Sequence, residues 1–438
     1  MVLSAGVVLA TALTGCQQDD RVVEKVTKAR GAYPDRVERP SPGFQVALTT
    51  VPLVADNRLR VLDAENRVWA EPLEAPQKTP AYWSYERDET VLTVELAERA
   101  GRAPLAVSLW ADGGLIAVDT RTGTVAWRAE VGGSISDRWS AFDRYHYDRG
   151  GRYADSRLRV VSGDGRPVVL VDVSEAGLIA FDAADGDELW NGDWKCDEPG
   201  ATSTSWVATH AVVVAEDCYT GVRLLDPRTG KQTAELDPKA PAEWPQAGEN
   251  GIQAPVLSEY GCVREVCDLL KFQLSGSSGG VEPLYFWIDD KGKAVPLDKD
   301  EPTPDAEGLP PEVQTSSEGF VLTATDVAER TTRWHVETPL NTAGLRSFGN
   351  VVVTSDVVWV DSKNWKEKGP ALLAYDLESG KQTTCRKPPG KAIEDMAAAG
   401  DYLVMSDVDI DSESTAEPTF DVDDHPFLMM YPERKSTC

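Results

Sequence analysis

Three carboxylates near the C-terminal end, Asp407, Asp409 and Asp411, stand at alternate positions, as the hard oxygen ligands of a calcium loop would. Such a loop also needs a turn glycine and a terminal glutamate, but Ser412 and Pro418 occupy those places. More aspartates follow downstream, which is typical of a solvated acidic loop. We therefore predict no metal site and keep calcium at these three aspartates as the alternative.

Catalytic motifs of the common enzyme classes are absent from the sequence. It has no Gly-Xaa-Ser-Xaa-Gly elbow, no Walker loop, no dinucleotide-binding glycine motif and no HExxH. The four histidines are too scattered to suggest a nucleophile–base pair. A formal net charge of −28 opposes binding to nucleic acid. These features disfavour an enzyme without excluding one, because a site can be assembled from distant segments.

The cysteines divide into one near the N-terminus, Cys16, and six further along the chain. An even number of cysteines in an exported protein predicts three disulfides, and fifteen pairings are open. Zinc is the alternative, but the sequence has no CxxC pair. The pairings that we favour are Cys262 with Cys267 across a hairpin, Cys196 with Cys218, and Cys385 with Cys438.

The N-terminal segment predicts export and lipid anchoring. Residues 1–15 are uncharged and largely apolar, and are too short to span a bilayer, as in a signal peptide. Leu13-Thr14-Gly15-Cys16 resembles the bacterial lipobox, in which the cysteine thiol receives a diacylglycerol with acyl chains such as palmitate. We expect Cys16 to be the mature N-terminus, residues 16–44 to be a polar tether and residues 45–438 to form the folded domain.

A short pattern at 115–127 recurs at 178–190. Each copy has an apolar strand, an aspartate, a glycine four positions later and a tryptophan eight positions later. The aspartate can accept hydrogen bonds from turn N–H groups, glycine permits a positive φ, and the tryptophan packs on the returning strand. Weaker copies lack the tryptophan. The pattern residues are Asp119, Gly123 and Trp127; Asp182, Gly186 and Trp190; Asp226 and Gly230; and Asp376 and Gly380.

Pairing each hairpin with an apolar strand upstream gives eight units at a spacing of about 50 residues. Four short strands per unit at this period predict an all-β, eight-bladed β-propeller with antiparallel four-stranded blades. Seven blades are the alternative count. A β-sandwich would also use many short strands, but it does not explain one hairpin that recurs at this period.

The pattern at 117–127 and its copy at 180–190 resemble the pyrroloquinoline-quinone-like propeller repeat. That family includes quinoprotein alcohol dehydrogenases and non-enzymatic lipoproteins such as the outer-membrane barrel-assembly propeller. The resemblance implies that the tryptophan docks one blade onto the next. Quinoproteins also use an aspartate base, a disulfide between adjacent cysteines and calcium, whereas this chain has no Cys-Cys dipeptide and no aspartate that matches the base. The resemblance therefore implies the fold without the oxidation chemistry.

Together these features predict a non-catalytic lipoprotein on the extracytoplasmic face of the cell membrane. Its propeller would bind or scaffold a protein or cell-wall partner, with no cofactor and no nucleic acid. A quinone-dependent oxidoreductase, or another propeller enzyme with a site at the central channel, is the alternative. The composition, rich in Ala, Val, Asp and Arg, is typical of a high-GC, actinobacterial source.

Overall fold

The computed structural model describes most of the chain between residues 23 and 431. The described ranges are 23–76, 78–131, 147–148, 152–153, 158–161, 166–173, 177–192, 203–216, 222–236, 255–263, 266–274, 284–297, 302–304, 311–316, 319–337, 346–364, 371–386, 395–406 and 427–431. Regular structure in these ranges is entirely β. Within them, no helix is long and apolar enough to cross a membrane.

The strands are short and follow one another closely along the chain. Those of the N-terminal half are β1 Glu24–Thr27, β2 Phe44–Leu48, β3 Leu53–Ala55, β4 Leu59–Ala64, β5 Arg67–Pro72, β6 Trp83–Arg87, β7 Val91–Arg99, β8 Arg102–Trp110, β9 Gly114–Asp119, β10 Val125–Glu130, β11 Tyr147–Asp148, β12 Arg152–Tyr153, β13 Leu158–Val161, β14 Val168–Val173, β15 Gly177–Asp182, β16 Glu188–Gly192, β17 Ser203–Val207 and β18 Val212–Glu216.

The remaining strands continue the same pattern. They are β19 Val222–Leu225, β20 Gln232–Leu236, β21 Pro255–Val263, β22 Val266–Leu274, β23 Leu284–Ile288, β24 Ala294–Leu297, β25 Glu312–Thr315, β26 Val321–Thr325, β27 Thr332–Glu337, β28 Arg346–Val353, β29 Val357–Asn364, β30 Ala371–Asp376, β31 Gln382–Arg386, β32 Asp395–Ala399, β33 Tyr402–Ser406 and β34 Phe427–Tyr431.

These strands form an eight-bladed β-propeller of antiparallel blades, which confirms the predicted fold class and blade count. In chain order the first five blades are β3–β6, β7–β10, β13–β16, β17–β20 and β21–β24. Blade 6 contains β25–β27 among the described residues, and blade 7 is β28–β31. Blade 8 consists of β32–β34 together with β2. Blades 4 and 5 touch through one parallel pair, Val207 with Val266.

The N-terminal strand β2 closes the ring by completing blade 8. It pairs antiparallel with β34, from Phe44 opposite Tyr431 to Leu48 opposite Phe427. A strand from the start of the chain therefore joins three strands from its end. No sequence pattern had assigned residues 44–48 to the last blade.

The core lies between neighbouring blades, because each strand alternates its side chains between two faces. On β9, Leu115 and Ala117 pack in the cluster shared with blade 3. The intervening Ile116 and Val118 pack in the cluster shared with blade 1. Both faces of an inner strand are thus buried, which explains why its sequence is a continuous apolar run instead of an alternating one.

Tryptophans dock blades onto one another at four of the described junctions. The indole N–H of Trp127 donates to the carbonyl of Ala183, one residue after the hairpin aspartate of the next blade, at 2.8 Å. A Cβ added to Gly186 would lie 2.6 Å from the Trp127 ring, so the indole packs directly on that glycine. The same bond to the residue after the aspartate is made by Trp83 to Thr120, Trp190 to Pro227 and Trp334 to Leu377.

A threonine takes the tryptophan's place between blades 5 and 6. The Thr303 hydroxyl donates to the carbonyl of Val327, again one residue after a hairpin aspartate, Asp326, at 3.0 Å. The hydrogen bond is retained there without the aromatic packing surface. Asp326 begins the hairpin of the sixth unit, to which the sequence analysis assigned no pattern residues, because Arg330, with a φ of 53°, stands where the other copies have glycine.

Replacing Trp127 with alanine should lower the free energy of unfolding by about 3–5 kcal/mol, the usual cost of removing a large buried aromatic side chain. Trp127 is 6% exposed, so its indole is close to fully buried. Chemical denaturation followed by far-UV circular dichroism measures the change. Trp69→Ala is the control, since Trp69 is only half-buried and its indole donates within its own blade, to Glu71, so its cost should be smaller. A near-neutral Trp127→Ala would contradict the docking role.

Candidate functional site

The hairpin aspartates of the repeat use their carboxylates inside the turn. Asp119 Oδ1 accepts hydrogen bonds from the Thr122 amide at 2.9 Å and from the Thr122 hydroxyl at 3.0 Å. Asp226 and Asp376 each accept the same two hydrogen bonds, from the amide and the hydroxyl of the residue three positions later, which is Thr229 or Ser379. These carboxylates are therefore turn-stabilising groups with their acceptor capacity largely occupied.

Basic side chains also pair with two of these carboxylates. Arg99 lies 2.5 Å from Asp119, and Arg228 of blade 4 lies 2.7 Å from Asp182 of blade 3. Burial raises the pKa of both aspartates, but the arginine and turn hydrogen bonds outweigh it and hold each pKa below its usual value. Both carboxylates therefore remain ionised and paired at neutral pH.

The other residues singled out by sequence are placed only in part. Cys262 and Cys267 lie directly opposite each other on β21 and β22. Cys385 is buried on β31 and disulfide-bonded, but its partner is not among the side chains that the structure describes. Cys16, Cys196, Cys218, Cys438, Asp407, Asp409 and Asp411 lie outside the described residues. In the described part of the chain, no cluster of three metal-ligating side chains occurs.

Blade 1 has a fifth strand, which was not predicted. β1 pairs antiparallel with the outer strand β6 over four residues, from Glu24 opposite Arg87 to Thr27 opposite Ser84. Glu24 accepts a hydrogen bond from Arg128 of blade 2 at 2.7 Å, and Lys25 donates to Glu86 at 2.9 Å. Consecutive residues of β1 thus hold the strand from its two faces.

The chain continues across the outer ends of blades 1 and 2 after β1. The Ala29 amide donates to Thr122 in blade 2, and the Arg30 amide donates to Tyr82 in blade 1. The Tyr33 ring then contacts the guanidinium groups of Arg58 and Arg121, which lie 5.2 and 5.7 Å from its centre. The described part of the expected tether is therefore packed against the propeller.

The pKa shifts around β1 follow from this packing. The hydrogen bond from Arg128 is the main cause that lowers the pKa of Glu24, so the carboxylate stays charged. Burial, followed by the Glu24 carboxylate, raises the pKa of Tyr85, which keeps its phenol protonated. Burial likewise raises the pKa of Tyr33 to about 12. Glu24 thus stays charged, and the Tyr85 and Tyr33 phenols stay neutral in the physiological range.

A pocket of about 450 Å³ lies on the outer part of blade 1, on the face that is turned toward blade 8. The strand registers place Lys25 opposite Glu86, and Arg67 opposite Glu86 on the next strand. Period-two alternation therefore brings side chains of β1, β6 and β5 to one face. The lining residues are Lys25, Thr27, Arg30, Arg67, Trp69, Glu71, Thr79, Pro80, Ala81, Ser84 and Glu86.

Basic groups outnumber acidic groups on the pocket wall. Glu86 lies between Lys25 and Arg67, at 2.9 and 3.6 Å. The Arg67 guanidinium lies over the Trp69 ring, 5.0 Å from its centre. The second wall carboxylate, Glu71, already accepts from the Trp69 indole and from the buried Arg60. The pocket therefore offers cationic and aromatic surface to a ligand.

A family model of known proteins matches the part of this chain that contains the two clearest copies of the hairpin repeat. Residues 105–243 match the family model described as outer membrane protein assembly factor BamB. These residues run from β8 in blade 2 to just beyond blade 4, and so include the two best repeat copies. No curated protein matches the chain in sequence.

Several solved structures are similar at low identity. BamB from Moraxella catarrhalis is 15% identical with a TM-score of 0.45, over 88% of this chain and 96% of that one. The dihydro-heme d1 dehydrogenase NirN is 15% identical with a TM-score of 0.47, over 87% of this chain and 73% of that one. The designed protein Ika8 is 10% identical with a TM-score of 0.44, over 83% and 96%.

Replacing Asp119 with asparagine should destabilise the protein at neutral pH more than at acid pH. The folded-state pKa of Asp119 is lowered, so its charge stabilises the fold above the unfolded pKa, near 3.9, and this contribution is lost as pH falls through the lower folded value. Urea denaturation of both proteins at pH 7 and pH 3 measures the difference.

Asp290→Asn is the matched control, because Asp290 is an exposed aspartate of the blade 5 hairpin. Its effect should be small at both pH values. A difference between wild type and Asp119→Asn that stays constant from neutral to acid pH would show that the Asp119 charge does not stabilise the fold.

Proposed function

We propose that this protein is a non-catalytic binding or scaffolding propeller, anchored by a lipid on Cys16 to the extracytoplasmic face of the cell membrane. Its partner is a protein or cell-wall component of the envelope. The observation that carries the proposal is the match of residues 105–243 to a family described as an assembly factor. An assembly factor acts by holding other molecules, which a rigid ring of blades can do without chemistry of its own.

The use of the repeat side chains supports binding over oxidation. Trp127 and Trp190 bond and pack between blades, and Asp119 and Asp182 hold turns and pair with arginines. The side chains that resemble a quinoprotein repeat are therefore engaged in the ring itself. They give a stiff scaffold whose edges and loops are available for recognition.

The outer edge of a blade supports one mode of binding. β1 lies along β6 with a four-residue register and adds a strand beyond the blade's own four. A blade of this ring therefore accepts an added strand through backbone hydrogen bonds, which is a common way for a sheet to bind an extended segment of a partner. We propose that partners use the outer strands of other blades in this manner.

Acylation of Cys16 is tested by detergent phase partition of the protein made in its bacterial host. The wild-type chain should enter the detergent phase, because acyl chains bury hydrocarbon at about 0.8 kcal/mol per methylene. Cys16→Ser should remain in the aqueous phase, whereas the control Cys438→Ser should behave as wild type. Recovery of Cys16→Ser in the detergent phase would contradict the anchor.

Binding of a partner is tested by crosslinking in intact cells, followed by purification of the full chain under denaturing conditions. We expect one envelope component to be recovered reproducibly, and to be lost when Trp127→Ala loosens the ring. An unrelated lipid-anchored bait serves as the control for proximity at the membrane. If nothing is enriched above that control, the scaffolding role is wrong.

A further inference from the structure

The N-terminal part of the described chain differs in charge from the rest of the protein. The whole chain has a formal net charge of −28. Between residues 23 and 39, however, basic residues exceed acidic ones: Lys25, Lys28, Arg30, Arg36 and Arg39 stand against Glu24, Asp35 and Glu38. An acidic protein thus carries a basic segment along the outer rim of blades 1 and 2.

Strand pairing turns part of this segment into a built site. Because β1 is in register with β6, Lys25 reaches the same face as Arg67 on β5, and Arg30 joins them at the pocket wall. The Lys25 side chain is 69% exposed and that of Arg67 is 39% exposed, so both can meet a ligand from solvent. Three cations from two separate chain segments therefore surround one cavity.

The cations of the pocket retain hydrogen-bonding capacity. Arg67 Nε makes no hydrogen bond to a described residue, and Glu86, its ion-pair partner, lies 3.6 Å away. Arg30 is exposed and has no ion-pair partner in the part of the chain that the structure describes. Glu86 alone faces Lys25 and Arg67, since Glu71 is engaged by Arg60 and Trp69. The exposed donors of Lys25 and Arg30 can therefore hydrogen-bond to an anion that enters the pocket.

We propose that this pocket binds the phosphate of an anionic lipid headgroup and so fixes how the propeller sits on the membrane. Phosphate suits the site because its oxygens accept from guanidinium donors in a forked geometry and from a lysine as a point charge. Trp69 adds an aromatic surface of the kind favoured at membrane interfaces. The choice of a lipid source rests on the proposed anchor at Cys16.

The short chain segment between Cys16 and the pocket favours a membrane lipid as the ligand. Only residues 17–24 separate Cys16 from Lys25. At about 3.3–3.6 Å per residue, such a segment spans no more than about 30 Å. A lipid attached to Cys16 would therefore keep the pocket close to the headgroups. The rim of blade 1 then faces the bilayer, while blade 5, on the opposite side of the ring, faces away from it.

Vesicle binding by the full chain carrying Cys16→Ser tests the site without any acyl anchor. We expect binding to vesicles of phosphatidylglycerol and phosphatidylcholine in equal parts, and little binding to phosphatidylcholine alone. Each basic residue near an anionic surface contributes about 1 kcal/mol, or about fivefold in affinity. Arg30→Gln with Arg67→Gln should therefore weaken binding by roughly tenfold or more. Raised salt should weaken wild-type binding in the same way.

Lys231→Gln with Lys381→Gln is the matched control, since it removes the same charge from exposed turns of blades 4 and 7. It should bind vesicles as the parent chain does. Equal loss in both double variants, or no loss in the pocket variant, would overturn the site. Thermal melting confirms that each variant is folded.

Titration with inorganic phosphate distinguishes a lipid headgroup from a soluble phosphate as the ligand of the pocket. Tight phosphate binding that depends on Arg30 and Arg67, with no preference for phosphatidylglycerol vesicles, would overturn the lipid source and leave a soluble phosphate. Preference for the anionic vesicles, with weak phosphate binding, supports the proposal. Because the chain used carries no acyl group, a failure of lipidation at Cys16 would appear only in the detergent partition.

Discussion

One hydrogen bond, repeated around the ring, holds the propeller in register. A donor on one blade reaches the carbonyl just after the hairpin aspartate of the next blade, at five described junctions. The aspartate holds the turn that presents this carbonyl, so the turn and the junction depend on each other. A blade is consequently stabilised by its neighbour as much as by its own core, as in other repeat proteins.

The fold could be predicted from sequence because the apolar strands and the turn residues recur at a regular spacing along the chain. Individual junctions were less visible. Trp334 was missed because Arg330 replaces the glycine of its turn, and Trp83 because a longer connection precedes it. Thr303 gave no signal at all, since a threonine hydroxyl can replace an indole donor only where the backbone brings it to the right carbonyl.

The rim of blade 1 could not be predicted for a different reason. β1 is short and polar, so it has no apolar stripe to distinguish it from a tether, and only the exposed edge of β6 makes it a strand. The pocket combines Lys25, Trp69 and Glu86, which come from three strands whose register is a property of the folded sheet. Charge was the one available signal, because the segment is basic within an acidic chain.

Closure of the ring by β2 has a consequence for the order of folding. Phe44–Leu48 is made early, whereas its partner Phe427–Tyr431 lies almost 400 residues further along the chain, so blade 8 cannot form until β34 has been synthesised. Contacts between such distant segments form slowly because a very large loop must close first. A chain that stops short of β34 leaves β2 without its partner strand. The last blade, and with it the closed ring, therefore forms only in a polypeptide that extends at least to Tyr431.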